Sequence, residues 1–172
     1  MTEPLFTVAG LQARPLSAED AAAARELFAS CDGSEDLTCG LPIGTADDPA
    51  LADAPAEPDL RIGVFEGPDT AGVIEVVRDV PTPGSWTIGL LMVETGRRGA
   101  TLGHDVVEEF ARWATRQGAT GLLVGAPAGP GESFWRSAGF SEAEAGSGSS
   151  AGAAADPAVV ELRRPLVATS TG

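Results

Sequence analysis

The residues whose types and spacing point most directly to chemistry run Leu91-Met92-Val93-Glu94-Thr95-Gly96-Arg97-Arg98-Gly99-Ala100-Thr101-Leu102-Gly103-His104. An apolar strand-like run enters a turn that holds two arginines and three glycines, and a helical pattern from Asp105 to Gln117 follows. This order suits a phosphate-bearing ligand. The first N–H groups of a helix have no intrahelical partner, and the helix dipole adds partial positive charge there. Small residues let a ligand approach the backbone, and arginines supply charge-assisted hydrogen bonds. The expectation is an anion cradle.

Composition bounds what that cradle can serve. With 172 residues, 43% of them hydrophobic, the chain is expected to form one domain with a real core. A formal charge of −14 argues against a nucleic acid or an anionic membrane as partner, because both would repel it. It mildly favours cationic or amine-bearing substrates, and reads first of all as a solvated acidic surface. Cys31 and Cys39 sit in a polar segment far from the single histidine, so no metal-ligand spacing is present and no metal is expected. Met1 to Phe6 lack a basic leader region and no apolar run could span a bilayer, so a soluble cytoplasmic protein is expected. The chain has no Lys, Asn or Tyr.

The elements that must position the cradle follow from local pattern. Val8 to Arg14 reads as a strand, and Ser17 as the N-cap of a helix with Glu19 and Asp20 in its first turn and Leu27 and Phe28 on its buried side. Residues 31–59 lose periodicity and read as a long loop with a short helix near Asp48 to Ala52. Strands are expected at Leu60 to Glu66, Ala71 to Asp79 and Trp86 to Val93, the first two joined by Gly67-Pro68-Asp69-Thr70. In the helix after the cradle, Leu102, Val106, Phe110 and Ala114 form the apolar stripe, and Gly118 gives the stop. A strand at Gly121 to Gly125, a short helix over Glu132 to Ala138 and a strand at Val159 to Leu162 complete the chain. Residues 144–156 are expected to be a flexible loop and 166–172 a frayed tail.

This order of elements, with two local motifs, resembles the GNAT superfamily of N-acetyltransferases over roughly the whole chain. The family's strand-loop-helix signature falls on Leu91, Val93 and Arg98 through Gly103, and its later helix end on Phe134, Trp135, Gly139 and Phe140. The resemblance implies a mixed α/β fold, a splayed β-sheet flanked by helices in the order β-α-α-β-β-β-α-β-α-β-β, with acetyl-CoA or another acyl-CoA as cofactor. It implies that the backbone of Leu91, Met92 and Val93 pairs with the pantetheine arm. The N–H groups of Gly99, Ala100, Thr101, Leu102 and Gly103 would hold the pyrophosphate, with Arg97 and Arg98 on phosphate oxygens. His104 either joins those phosphates or faces solvent.

Three positions depart from the family pattern: Thr101 replaces the middle glycine of the loop, Ala128 an asparagine, and Trp135 a tyrosine. An indole N–H donates a hydrogen bond but is no acid near neutral pH, so Trp135 cannot protonate a leaving thiolate. The implied activity is N-acetyl transfer to a small amine by direct transfer in a ternary complex. The alternative is a GNAT-fold protein without acetyl-CoA, serving as a small-molecule binder or an enzyme of different chemistry. For acetyl transfer a carboxylate must take the amine proton. Glu75, set between Ile74 and Val76 in an apolar run, is the leading candidate, with Glu94 and Asp79 weaker. Phe65, Trp86 and Trp135 either wall an acceptor pocket or pack in the core. A homodimer is open, because terminal strands leave edges to cover.

Overall fold

The computed structural model of the chain describes residues 3–20, 22–24, 26–27, 59–80, 82–93, 102–127, 130–142 and 159–167. Eight strands form one mixed sheet in the order β1-β2-β3-β4-β5-β6-β8-β7. They are β1 (Phe6–Val8), β2 (Leu11–Pro15), β3 (Leu60–Glu66), β4 (Asp69–Val77), β5 (Ser85–Val93), β6 (Gly121–Pro127), β7 (Ser141–Glu142) and β8 (Val159–Pro165). A long helix, Leu102–Arg116, and a short helix, Pro130–Ser137, cross between strands. All neighbouring strands are antiparallel except β5 and β6, which the long helix connects as a parallel pair.

The chain entry differs from the expected single strand at Val8 to Arg14. Ala9 and Gly10 both take positive φ, 49° and 86°, which makes a tight reversal and splits the segment into the β1–β2 hairpin. Alanine at positive φ is uncommon, so the turn left little trace in residue types. After β2 the N-cap reading is sharpened. Ser17 N–H and its hydroxyl both donate to Asp20 Oδ2 at 2.8 Å, and Asp20 N–H returns to Ser17 O at 3.1 Å. A short 3-10 turn, Ala18–Asp20, leads to helical residues 22–24 and 26–27, with Leu27 buried. Arg14 grips the same Asp20 at 2.7 and 2.8 Å, and its guanidinium holds that carboxyl far below the ordinary carboxylate range. The helix near Asp48 to Ala52, Phe28, and the loop at 144–156 lie outside the described residues.

The hairpin between β3 and β4 is tighter than Gly67 to Thr70 suggested, because Asp69 and Thr70 already pair with Glu66 and Phe65. At the far end β8 runs on to Pro165, and Leu166 N–H donates to Thr120 O at 2.9 Å while its side chain packs on the core. Residue 166 is therefore anchored rather than frayed.

The main core lies between the sheet and the two helices. Phe6, Trp86, Phe110 and Trp113 form an aromatic cluster with ring centroids 5.7 to 6.4 Å apart. The opposite sheet face carries a smaller cluster of Ala24, Leu27, Val73, Leu90 and Met92. Both helices stop the same way. Gly118 and Gly139 take φ of 98° and 91°, and each closes a pair of reversed backbone bonds: Ala119 N–H to Ala114 O with Gly118 N–H to Thr115 O, and Phe140 N–H to Trp135 O with Gly139 N–H to Arg136 O. This is the Schellman stop, with its accompanying apolar contact supplied by Trp135 and Phe140, 5.1 Å apart. The Phe134 to Phe140 motif is thus, in its frame, a helix terminator.

Candidate functional site

One residue divides β5 into two halves. Val76 pairs with Ile88 and Glu75 with Leu90, so Gly89 is an extra residue, a β-bulge, on β5. The side-chain alternation inverts there. Trp86 and Ile88 face the long helix before the bulge, Leu91 and Val93 face it afterwards, and Leu90 and Met92 turn to the other face. Glycine suits this position because a bulge bends the strand and leaves a residue without a ladder partner.

The bulge is also where β5 parts from β6. Their parallel ladder runs from Ser85 with Gly121 to Ile88 with Val124 and goes no further, although β5 continues to Val93 and β6 to Pro127. Residues 89–93 and 125–127 therefore bound an opening across which the two strands form no ladder with each other. An extended chain bearing amide groups can lie there as an added strand. The long helix begins at Leu102, on the connection that leaves the open end of β5.

The helix starts and stops around this opening are locked together. A Cβ placed on Gly103 would meet Phe134 Cε2 at 3.2 Å and Cζ at 3.4 Å, so this glycine lets the two helices touch. His104 stacks on Phe134 with centroids 4.6 Å apart, and its Nε2 lies 2.6 Å from Ser137 Oγ. Ser137 spends its own hydrogen on Phe134 O at 2.6 Å, so His104 is the donor through Nε2–H. The histidine is not simply solvent-facing: it ties the first turn of the long helix to the last turn of the short one. Arg164 completes the junction from β8. It donates to Ala138 O at 3.0 Å and pairs with Glu108 at 2.8 Å, and it holds the Glu108 carboxyl below its usual value. Residue types alone did not reveal the roles of Ser137 and Arg164; only a pairing of the two helices in space could.

The other expected site residues fall as follows. Leu91, Met92 and Val93 form the open half of β5, their side chains buried on both faces and their strand edge facing the opening. Glu75 sits on β4 opposite the bulge, beside Leu90, and its Oε1 accepts from Arg61 Nε at 2.9 Å in a cross-strand ion pair. It is therefore neither an isolated buried carboxylate nor a solvent-facing one. Asp79 accepts from Gly84 N–H at 2.8 Å and shapes the β4–β5 turn. Phe65 lies under the Arg14 guanidinium, 3.9 Å from its ring centroid. Trp86 is part of the aromatic core beside the closed half, and Trp135 is a fully buried residue of the short helix, in the same core. Glu94, Arg97, Arg98, Gly99, Ala100, Thr101 and Ala128 lie outside the described residues. Among the described residues no group of three or more His, Cys, Asp or Glu is placed to hold a metal, and no helix is long and apolar enough to cross a membrane.

No protein-family model and no curated protein matches the sequence. Solved structures do. A GNAT-family acetyltransferase from Staphylococcus aureus superposes with a TM-score of 0.65 at 16% identity, over 91% of this chain and 99% of that one. An acetyltransferase from Thermus thermophilus gives 0.63 at 20% identity, over 96% and 100%. The PaiA N-acetyltransferase of Thermoplasma acidophilum, solved in complex with coenzyme A, gives 0.59 at 13% identity, over 90% and 98%. The eight-stranded sheet, with its parallel pair parting beside the start of a helix, has the fold of the GNAT acetyltransferases.

Proposed function

We propose that the protein is an acyl-CoA-dependent N-acetyltransferase that acetylates a small amine by direct transfer within a ternary complex. The observation that carries this reading is the open half of β5 and β6. There the two strands part and no longer pair with each other, which suits an amide-bearing arm laid between them, directly upstream of a helix start that favours anions. The coenzyme A complex of a structural neighbour supports it. A second fitting feature is the fully buried Trp135, whose indole Nε1–H has no partner among the described residues.

The residues that would hold the cofactor are the backbone of Leu91, Met92 and Val93, the N–H groups of Gly99 through Gly103, the side chains of Arg97 and Arg98, and His104. When bound, acyl-CoA supplies an activated acetyl group. The chain's own part is to bind and orient, and to manage one proton. An amine attacks only when neutral, and Glu75 is the carboxylate on the strand beside the open half. Arg61 engages its Oε1, which leaves Oε2 to take the amine proton. Trp135 donates a hydrogen bond but releases no proton, so solvent protonates the departing thiolate, an ordinary thiol having a pKa of about 8.5.

Calorimetric titration with acetyl-CoA tests the reading. Binding with one site per chain is expected, and no heat at high micromolar ligand sinks it.

A further inference from the structure

Arg61 and Glu75 are direct partners across β3 and β4, and Glu75 is in turn the partner of Leu90 on β5. Alternation fixes the face they occupy. Ile74 and Val76, on either side of Glu75, belong to the main core, as does Ile62 beside Arg61, so both charged side chains stand on the opposite face. Val73 and Leu90 share that face in the smaller cluster. Arg61, Glu75 and Leu90 thus form one row across three strands, and at Leu90 the β5 strand has already left β6. The row ends at the opening.

The ion pair leaves most of the guanidinium unused. Arg61 donates from Nε to Glu75 Oε1 at 2.9 Å, and its two terminal nitrogens have no partner among the described residues. Its side chain is 50% exposed, against 13% for Glu75. Arg14, the arginine of β2, differs: both Asp20 oxygens take its terminal nitrogens at 2.7 and 2.8 Å, and its guanidinium lies on the Phe65 ring. Of these two cations only Arg61 has a planar fork of donors to offer. What separates it from an ordinary solvated arginine is its place beside Glu75, the carboxylate to which the proposed function gives the amine proton.

We infer that the acceptor is a zwitterion, an amine that also carries a carboxylate, and that Arg61 holds this carboxylate through its terminal nitrogens, an inference that rests on the proposed function. With the amine over Leu90 and Glu75, at the mouth of the opening, Arg61 lies one strand spacing further, about 5 Å, which suits an amino acid. Opposite charges then meet at both ends, ammonium against Glu75 and carboxylate against Arg61. When Glu75 Oε2 takes the amine proton its charge is neutralised, and the acceptor's carboxylate remains as the counter-ion of Arg61. A diamine of the same length brings a second cation against Arg61 and is disfavoured.

Steady-state assays with acetyl-CoA test this on matched pairs, each α- or ω-amino acid against the amine that lacks only its carboxylate, with diamines of equal length alongside. The wild-type protein is expected to favour the carboxylate-bearing member of its best pair by about tenfold or more in kcat/KM. Arg61→Met is expected to raise KM for that member by about 10- to 100-fold and to change KM for its counterpart by less than about twofold. The difference between the two members isolates the carboxylate, because any disturbance of Glu75 acts on both. Arg61→Lys, which keeps the charge without the fork, is expected to recover part of the loss. Calorimetry with acetyl-CoA shows whether the variants fold; should they not, the wild-type preference decides alone. A best acceptor without a carboxylate, or an Arg61→Met variant whose KM rises equally for both members, overturns the inference. So does a protein that binds acetyl-CoA and acetylates no carboxylate-bearing amine of the set, and each of these results leaves the cofactor reading standing. A protein that binds no acetyl-CoA overturns both.

Discussion

The two halves of β5 share a strand and a helix partner and yet behave as opposites. Before Gly89, Ser85 to Ile88 are zipped to β6, and Trp86 joins Phe6, Phe110 and Trp113 in the aromatic core. After Gly89 the side chains are still buried, but the strand no longer pairs with β6. A single inserted residue separates the half zipped to β6 from the half that parts from it. Apolar side chains stabilise both halves, and only the main-chain hydrogen bonds tell them apart. Unpaired edges inside a sheet are otherwise avoided, and the proposed function gives this one an occupant.

Substitutions can break or sharpen this division. The largest effect is expected in the closed half. Trp86→Ala should destabilise the fold by about 3–5 kcal/mol, read by denaturant unfolding, while the folded protein keeps its acetyl-CoA affinity. A matching loss of affinity would mean that the halves are not separable. Next, Glu75→Gln, beside the bulge, should lower turnover on the order of 100-fold or more without weakening cofactor binding, and its stability loss should stay under about 1 kcal/mol. Unchanged activity removes Glu75 from the mechanism. Third, Gly103→Val presses a branched side chain against Phe134 and should cost about 1–3 kcal/mol, with weaker CoA binding because the two helices must separate. Stability lost with CoA affinity intact would show that this contact is purely structural.

The smallest effect belongs to a site remote from both halves. Asp20→Asn should cost about 1 kcal/mol at neutral pH and leave CoA affinity alone. Its sign with pH follows from the depressed carboxyl. A group whose folded pKa lies below its unfolded value of 3.8 contributes its full stabilisation above that value and loses it as pH falls further. The variant should therefore differ from the native chain at pH 7 and converge with it in strong acid, as followed by thermal unfolding.

Much of the architecture was legible because it is written in periodicity. The β3 strand was bounded to the residue, and the stripe Leu102, Val106, Phe110, Ala114 is buried as expected. Glycine stops at Gly118 and Gly139 were legible for the same local reason. The β1–β2 hairpin was hidden because its turn puts an alanine where glycine or asparagine is usual. The bulge was hidden too: Gly89 stands in an unbroken apolar run, and a strand buried on both faces shows no alternation that a slip could interrupt. Leu91, Met92 and Val93 were legible as the end of a strand but not as the half that leaves β6, whereas Phe65, Trp86 and Trp135 carried two readings each. An aromatic side chain looks the same in sequence whether it lines a pocket or fills a core.

By itself, then, the sequence determined most of the elements from β3 onward, their order and the residue types of the cradle region, since these depend on residues close in the chain. Only the tertiary structure decided where β5 leaves β6, which tryptophans join the core, that Gly103 serves helix contact, and that His104 reaches Ser137. Each of these depends on groups far apart in sequence being brought together by hydrogen-bond register and packing, which local residue types do not encode.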